Sequence, residues 1–192
     1  NCPVVFTCDR RARATYAASW YRQMGFQEVY AVDGGTGAWT GSGRALAKGM
    51  LEDLPLGYEA ARGQVKLVSP QTLHASLPAA VIFVDTSQDF ARGHVPAARW
   101  VPRGWLELWI GDIVPSKETP LTVTCHDGRS SVLAGVTLKE LGYFHVSVLD
   151  GGMVAWQKAG LPVEKGLSGV MAPPTDLVLS GPDRNFADMQ NY

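Results

Sequence analysis

Leu121-Thr-Val-Thr-Cys125-His-Asp-Gly-Arg-Ser130-Ser131-Val-Leu-Ala134 decides how the rest of this chain is read. An apolar run ends in a cysteine, a short polar loop with one glycine follows, and a helical pattern begins at once. That order of residue types puts a thiol at the carboxyl end of a buried strand, facing the N-terminus of a helix. Backbone N–H groups at such a terminus hold anions, and the helix dipole favours negative charge there by about 0.3–1 kcal/mol. A thiol with a free pKa of about 8.5 is expected to shift toward thiolate in that setting. The stretch reads as a nucleophile built to carry an anionic adduct.

Working outward, Val81-Ile-Phe-Val-Asp85 is a continuous apolar run of the buried parallel-strand type, and Val65-Lys-Leu-Val68 opens another strand. Ser69-Pro70 supplies an N-cap and first-turn proline for a helix through about Leu77. Asp89-Phe-Ala-Arg-Gly93-His-Val-Pro-Ala-Ala-Arg99 reads as a turn-rich connection, and a helical stretch is expected near Gly104–Ile110. The alternation over 65–163 is β-α-β-α-β-α-β-α. It predicts an α/β fold of three layers, with a parallel central sheet between helices.

Comparing the chain with itself at an offset of 117 changes the meaning of its first quarter. Residues 3–46 align with 120–163 without a gap, and 12 of the 44 positions are identical. They include Thr7/Thr124, Cys8/Cys125, Gly25/Gly142, Asp33/Asp150 with both following glycines, and Trp39/Trp156. These are loop, cap and anchor positions, so the chain holds two copies of a strand–Cys loop–helix–strand–Asp-Gly-Gly–helix unit. In the first copy a helix is expected from about Ala14 to Met24, with Tyr16, Trp20 and Met24 on one apolar face. Trp39 and Trp156 are expected as core anchors, and Asp33 and Asp150 as turn and cap residues.

The upstream half of the second copy has no counterpart before the first. The expected organisation is therefore a C-terminal half-domain at 1–48, a linker at 49–64, a complete domain at 65–165 and a tail or linker at 166–192. The chain is expected to be a piece of a larger tandem polypeptide, the alternative being a half-domain that borrows strands. Its open sheet edge would invite a second copy, giving a homodimer, or residues 166–192.

Composition bounds the rest. The 192 residues are 46% hydrophobic and 18% charged, with a net charge of −1, which is the balance of an ordinary globular protein. No block of like charge suggests nucleic acid or an anionic membrane surface. No apolar run is long enough for a transmembrane helix, and no signal peptide is read at the N-terminus. Cys2, Cys8 and Cys125 are an odd number without metal-binding spacing, so free thiols and a cytoplasmic address are expected.

Several elements together resemble the rhodanese (thiosulfate sulfurtransferase) family in its tandem form. Val84-Asp85 ends a strand, and Gly93-His94-Val-Pro-Ala-Ala98 is similar to the family's GHIPGA element. Cys125-His-Asp-Gly128-Arg-Ser130 fits a six-residue active loop with glycine fourth, and Leu141-Gly142 followed by Asp150-Gly-Gly and Trp156 completes the pattern. Two departures stand out. Asp85-Thr-Ser87 lacks the arginine of the family's Asp-x-Arg, and the loop matches neither the Cys-Arg-Lys-Gly-Val-Thr nor the Cys-Gly-Ser-Gly-Val-Thr type. It looks closer to single-domain sulfurtransferases.

The resemblance implies a sulfur shuttle: Cys125 takes the outer sulfur of thiosulfate or a similar small anionic donor, becomes a persulfide, and passes it to a thiol or cyanide acceptor. No cofactor or metal is called for. His126, Asp127, Gly128, Arg129, Ser130 and Ser131 are the expected substrate-binding residues, their amides curling round the sulfur as an oxyanion hole curls round oxygen. Gly128 permits the curl, Arg129 and His126 add positive charge at the rim, and Asp127 opposes them. Ser130 or Ser131 is the expected helix cap. Cys8 with Arg13 is a candidate second site, although Arg11 replaces the loop glycine there. Asp85 is expected to accept hydrogen bonds from loop donors, His94 to satisfy backbone groups, and Arg99 to be solvated. Two rivals remain: a catalytically silent regulatory or protein-binding module, and a cysteine phosphatase or arsenate reductase. The latter loops read Cys-x5-Arg, and here that sixth position after the cysteine is Ser131.

Overall fold

Five parallel strands, packed on both faces by helices, organise the larger part of the chain. The computed structural model describes residues 2–47, 54–171, 173, 174 and 176. It separates into two compact units, Asn1–Glu52 and Asp53–Tyr192.

In the second unit the strands are β3 (Lys66–Val68), β4 (Ala80–Phe83), β5 (Arg99–Trp100), β6 (Leu121–Thr124) and β7 (Val146–Leu149). Their order is β3-β7-β6-β4-β5 and every pairing is parallel, which is the expected parallel central sheet with one strand more, β5. The helices are α3 (Tyr58–Arg62), α4 (Pro70–Ala75), α5 (Ser87–Arg92), α6 (Leu106–Ile113), α7 (Arg129–Glu140) and α8 (Gly152–Lys158). Side chains alternate across a strand, so each face of the sheet gathers its own core. Ile82, Val84, Leu121, Val123, Cys125 and Leu138 share one core with α6 and α7; Val81, Phe83, Phe90, Trp100, Leu149 and Trp156 share the other. Burying a side chain such as Phe83 or Phe90 contributes about 1.5–3 kcal/mol. No helix among the described residues is long and apolar enough to cross a membrane.

The central register is Phe83↔Thr124 between β4 and β6, and this pairing places the site. Carried past the strand ends, it sets Val84 beside Cys125 and Asp85 beside His126 at the carboxyl edge of the sheet. Upstream, Ser69 caps α4 as expected, its hydroxyl accepting the Thr72 N–H at 3.1 Å.

Several expectations are corrected. The connection at 89–99 contains a helix and a strand: Thr86 caps α5 by accepting the Asp89 N–H at 3.2 Å, and β5 is only two residues long. Within the expected linker, 54–64, Tyr58–Arg62 forms α3 and buries Ala61 against Val132 and Val148 of the sheet-and-α7 layer; 49–53 lie outside the described residues. The start of the expected tail is tied to the domain. His94 pairs with Glu164, the Gly166 N–H donates to Ala91 O, and the Trp100 N–H donates to Gly169 O at 3.0 Å. Asp176 accepts the Ser87 N–H at 2.8 Å. These partners, backbone groups and the Asp176 carboxylate, satisfy the outer side of α5 and β5, which only the folded sheet brings within reach of 164–176.

The first unit pairs β1 (Val4–Phe6) with β2 (Val29–Ala31) in parallel, with α1 (Ala12–Gln23) and α2 (Gly35–Gly41). Its helix packs through Ala14 and Ala18, while Tyr16, Trp20 and Met24 are exposed, so the expected apolar face points away from the contact. Small side chains one turn apart let the helix approach a sheet of two strands closely, and the large stripe lies on the opposite side. Trp156 is fully buried, but Trp39 is 41% exposed and is not a core anchor here. Neither Asp33 nor Asp150 is a cap. Helices α2 and α8 begin after Gly34 and Gly151 in left-handed conformation, and the carboxylates pair instead with Arg11 at 3.6 Å and Arg62 at 3.2 Å.

Candidate active site

The thiol of Cys125 sits at the end of β6 with no exposed surface, and the loop closes round it. The Gly128 N–H points at Sγ from 3.1 Å and the Ser131 N–H from 3.3 Å. The Sγ–H donates to Ser131 Oγ at 3.2 Å, and the Ser131 hydroxyl donates in turn to Gly128 O at 3.1 Å. Two backbone donors converging on one sulfur form a small anion cradle of the kind that consecutive amides build in loops.

Gly128, not Ser130 or Ser131, is the residue before α7, with φ 87°. Two constraints require glycine there. The backbone is left-handed, and a Cβ would lie 3.0–3.1 Å from Gly151 N, Gly151 Cα and Gly152 N. Helix α7 thus starts two or three residues earlier than expected. Ser131 is freed to face the sulfur, and the Ser130 side chain hydrogen-bonds to Asp85.

Asp85 anchors the loop from the neighbouring strand, accepting the His126 N–H at 2.7 Å on Oδ2. Trp100 Nε1 holds this corner by donating to Asp85 O at 2.9 Å. Burial raises the Asp85 carboxyl above its ordinary value, against the hydrogen bonds from His126 and Ser130, which favour the carboxylate. From below, Gly152 packs against the loop so closely that a Cβ would meet Cys125 O and Gly128 N at 2.5 Å. The Met153 and Val154 N–H groups donate to Cys125 O and His126 O at 2.9 and 3.0 Å.

The expected thiolate shift is reversed. Burial pushes the Cys125 thiol up to about 11, and the negative charges of Asp85 and Asp127 act in the same sense. The hydrogen bonds from Ser131 pull downward without prevailing. Desolvation of a fully enclosed sulfur outweighs two amide dipoles, so the resting group at neutral pH is a thiol.

The remaining loop residues spread over the rim. His126 is exposed, while Asp127, Arg129 and Ser130 are half-buried. Asp127 Oδ1 accepts the Arg129 N–H at 2.9 Å and lies 3.9 Å from Cys125 Sγ; its Oδ2 lies 3.4 Å from Arg129 Nε. His94 is buried, with Nδ1 2.8 Å from Phe90 O and its ring stacked on Phe90, in keeping with a structural role. Arg99 is exposed.

The Cys8 loop repeats the scaffold beneath the cradle. Thr36 and Gly37 N–H groups donate to Cys8 O and Asp9 O at 2.8 and 3.0 Å, and a Cβ on Gly35 would meet Cys8 O within 2.2 Å. Arg13 is directed to Asp9, at 2.8 Å between exposed groups, and Cys8 is half-buried. The paired glycines support both loops, and their recurrence at Gly34-Gly35 and Gly151-Gly152 is the sequence signal for that role.

A sequence profile of the Rhodanese-like domain matches residues 69–159. Thiosulfate sulfurtransferase GlpE of Stutzerimonas stutzeri (strain A1501) is 33% identical over 94 residues, covering 48% of this chain and 84% of that protein. A sulfurtransferase of Allochromatium vinosum is 32% identical over 85 residues, covering 43% of this chain and 78% of that protein. The crystal structure of thiosulfate sulfurtransferase from Pseudomonas aeruginosa superposes with a TM-score of 0.58 at 27% identity, over 99% of this chain and 35% of that one. This chain therefore spans 35% of the length of that structure's chain.

Proposed function

The chain belongs to the rhodanese family, and from that premise we propose that it is a sulfurtransferase carrying a persulfide on Cys125. The observation that supports this most is the pair of amides, Gly128 and Ser131, aimed at one buried sulfur. In the first half-reaction the Cys125 proton leaves, Sγ attacks the outer sulfur of the donor, and the donor's own bond to that sulfur breaks. With thiosulfate the departing group is sulfite. In the second half-reaction a thiol or cyanide attacks the outer sulfur and restores Cys125. Fixed amides stabilise the terminal sulfur without reorganising, which is the economy of an oxyanion hole. Residues 1–48 belong, in this reading, to a second rhodanese-like half-domain whose Cys8 and Arg13 form a second site, with 65–165 as the complete domain.

A catalytically silent binding module is the second reading, favoured by the full burial of the Cys125 thiol and its upward shift. Intact-mass measurement separates the two. Incubation with a sulfane donor is expected to add one sulfur atom, and Cys125→Ser to abolish the addition. A wild-type mass unchanged by every sulfane donor supports the binding module. Hydrolysis of a generic phosphoester would instead point to phosphatase chemistry, for which the loop lacks an arginine at Ser131.

A further inference from the structure

We propose that Asp127 is a specificity-determining residue, its carboxylate occupying the loop's own anion seat and selecting singly charged persulfide donors over doubly charged thiosulfate. The inference rests on the sulfurtransferase reading and names the substrate class of that same site.

Three contacts define the seat. Asp127 Oδ1 takes the Arg129 N–H at 2.9 Å, Oδ2 faces the Arg129 guanidinium at 3.4 Å, and Oδ1 stands 3.9 Å from Cys125 Sγ. A donor whose outer sulfur reaches Cys125 must bring the rest of its charge to this rim. There the amide and guanidinium that would receive sulfonate oxygens already hold a carboxylate. The His126 N–H is likewise committed to Asp85. Around the thiol, two carboxylates stand against the single guanidinium of the loop, and the His126 side chain is exposed to solvent. The same two carboxylates oppose ionisation of the Cys125 thiol.

The balance of charge differs between donors. With a persulfide, Cys125–SH and R–S–S⁻ give Cys125–S–S⁻ and R–SH. One S–S bond forms and one breaks, and the thiol proton goes to the departing sulfur. With thiosulfate, Cys125–SH and the dianion give Cys125–S–S⁻ and hydrogen sulfite. The electron count is equally balanced, but two negative charges must first enter beside Asp127. Because the resting thiol is neutral and its proton passes to the departing sulfur, the persulfide route carries a single net charge through the site.

The test compares thiosulfate with cysteine hydropersulfide as donors, each read as kcat/KM and as the rate of sulfur addition to the intact mass. For the wild type the persulfide is expected to be favoured at least about tenfold, and Asp127→Asn to shift the ratio toward thiosulfate by about tenfold, mainly through the KM for thiosulfate. Asp127→Glu keeps the charge and should keep the preference. Arg129→Gln gives a second reading that does not depend on the folding of the Asp127 variants, with thiosulfate kcat/KM falling further than that of the persulfide. A donor ratio that stays the same in Asp127→Asn and Arg129→Gln overturns the role of Asp127 and leaves sulfur transfer standing. Failure of both donors to load Cys125 in the wild type overturns the sulfurtransferase reading itself.

Discussion

The Asp85 carboxylate and the His126 backbone N–H meet at 2.7 Å across the carboxyl ends of two adjacent parallel strands. One strand thereby fixes the loop that grows from the other. Asp85→Ala should remove the charge-assisted bond to the His126 amide and lower stability by about 1–3 kcal/mol, read from urea denaturation. Asp85→Asn keeps an acceptor but removes the charge that opposes ionisation of Cys125. It should therefore speed alkylation of Cys125 at neutral pH, and an unchanged rate would remove Asp85 from the account of the thiol.

The pH dependence follows from the thiol pushed up to about 11. In a Cys2→Ser, Cys8→Ser background, alkylation by iodoacetamide should keep rising with pH beyond 9 and level off only near 11. A plateau near the ordinary thiol value would contradict the burial argument. The sign for stability is the same. A thiol whose folded value is raised binds its proton in the native state while the unfolded chain has released it, so stability is lost as pH climbs between the two values.

Gly152 supports the loop with no room to spare. A Cβ there would approach Cys125 O and Gly128 N to 2.5 Å, both backbone atoms that cannot swing away, and φ is 57°. Gly152→Ala should therefore displace the cradle. Sulfur addition should fall at least about a hundredfold, as expected when fixed donors are misplaced on the reacting atom. Gly142, also at positive φ but with open space around it, serves as the control: Gly142→Ala should cost stability while sparing sulfur addition.

Ala97 has φ 62°, a conformation that suits glycine, and its N–H is held by Glu164 Oε2 at 2.8 Å. Ala97→Gly should stabilise the second unit by roughly 0.5–1 kcal/mol, the relief of left-handed strain less the extra freedom of the unfolded chain. Glu164→Ala should destabilise it by releasing that N–H and the bond from the Ser168 hydroxyl. Midpoints of denaturation for the two variants, moving in opposite directions, check the pair.

Strand and loop chemistry were legible because they depend on neighbours in the chain. The apolar runs 81–85 and 121–124, the Ser69-Pro70 start and the internal repeat all announce themselves at short range. Helix α5 and strand β5 were not legible, since a six-residue helix and a two-residue strand carry too little periodicity to register. The stripe of Tyr16, Trp20 and Met24 misled for another reason. Periodicity shows that residues share a face, while contact decides which face is buried, and α1 packs through Ala14 and Ala18.

By itself the sequence determined that a cysteine ends a buried strand, that glycine follows it in a tight loop before a helix, and that the pattern occurs twice. Such features are local, set by backbone sterics and the order of polar and apolar residues. Only the tertiary structure decided what the thiol is. Pairing of β4 with β6 brings Asp85 to the loop, and Gly152 closes it from below. The enclosure that results strips the sulfur of water, so desolvation and two neighbouring carboxylates outweigh the amides that the local pattern had promised.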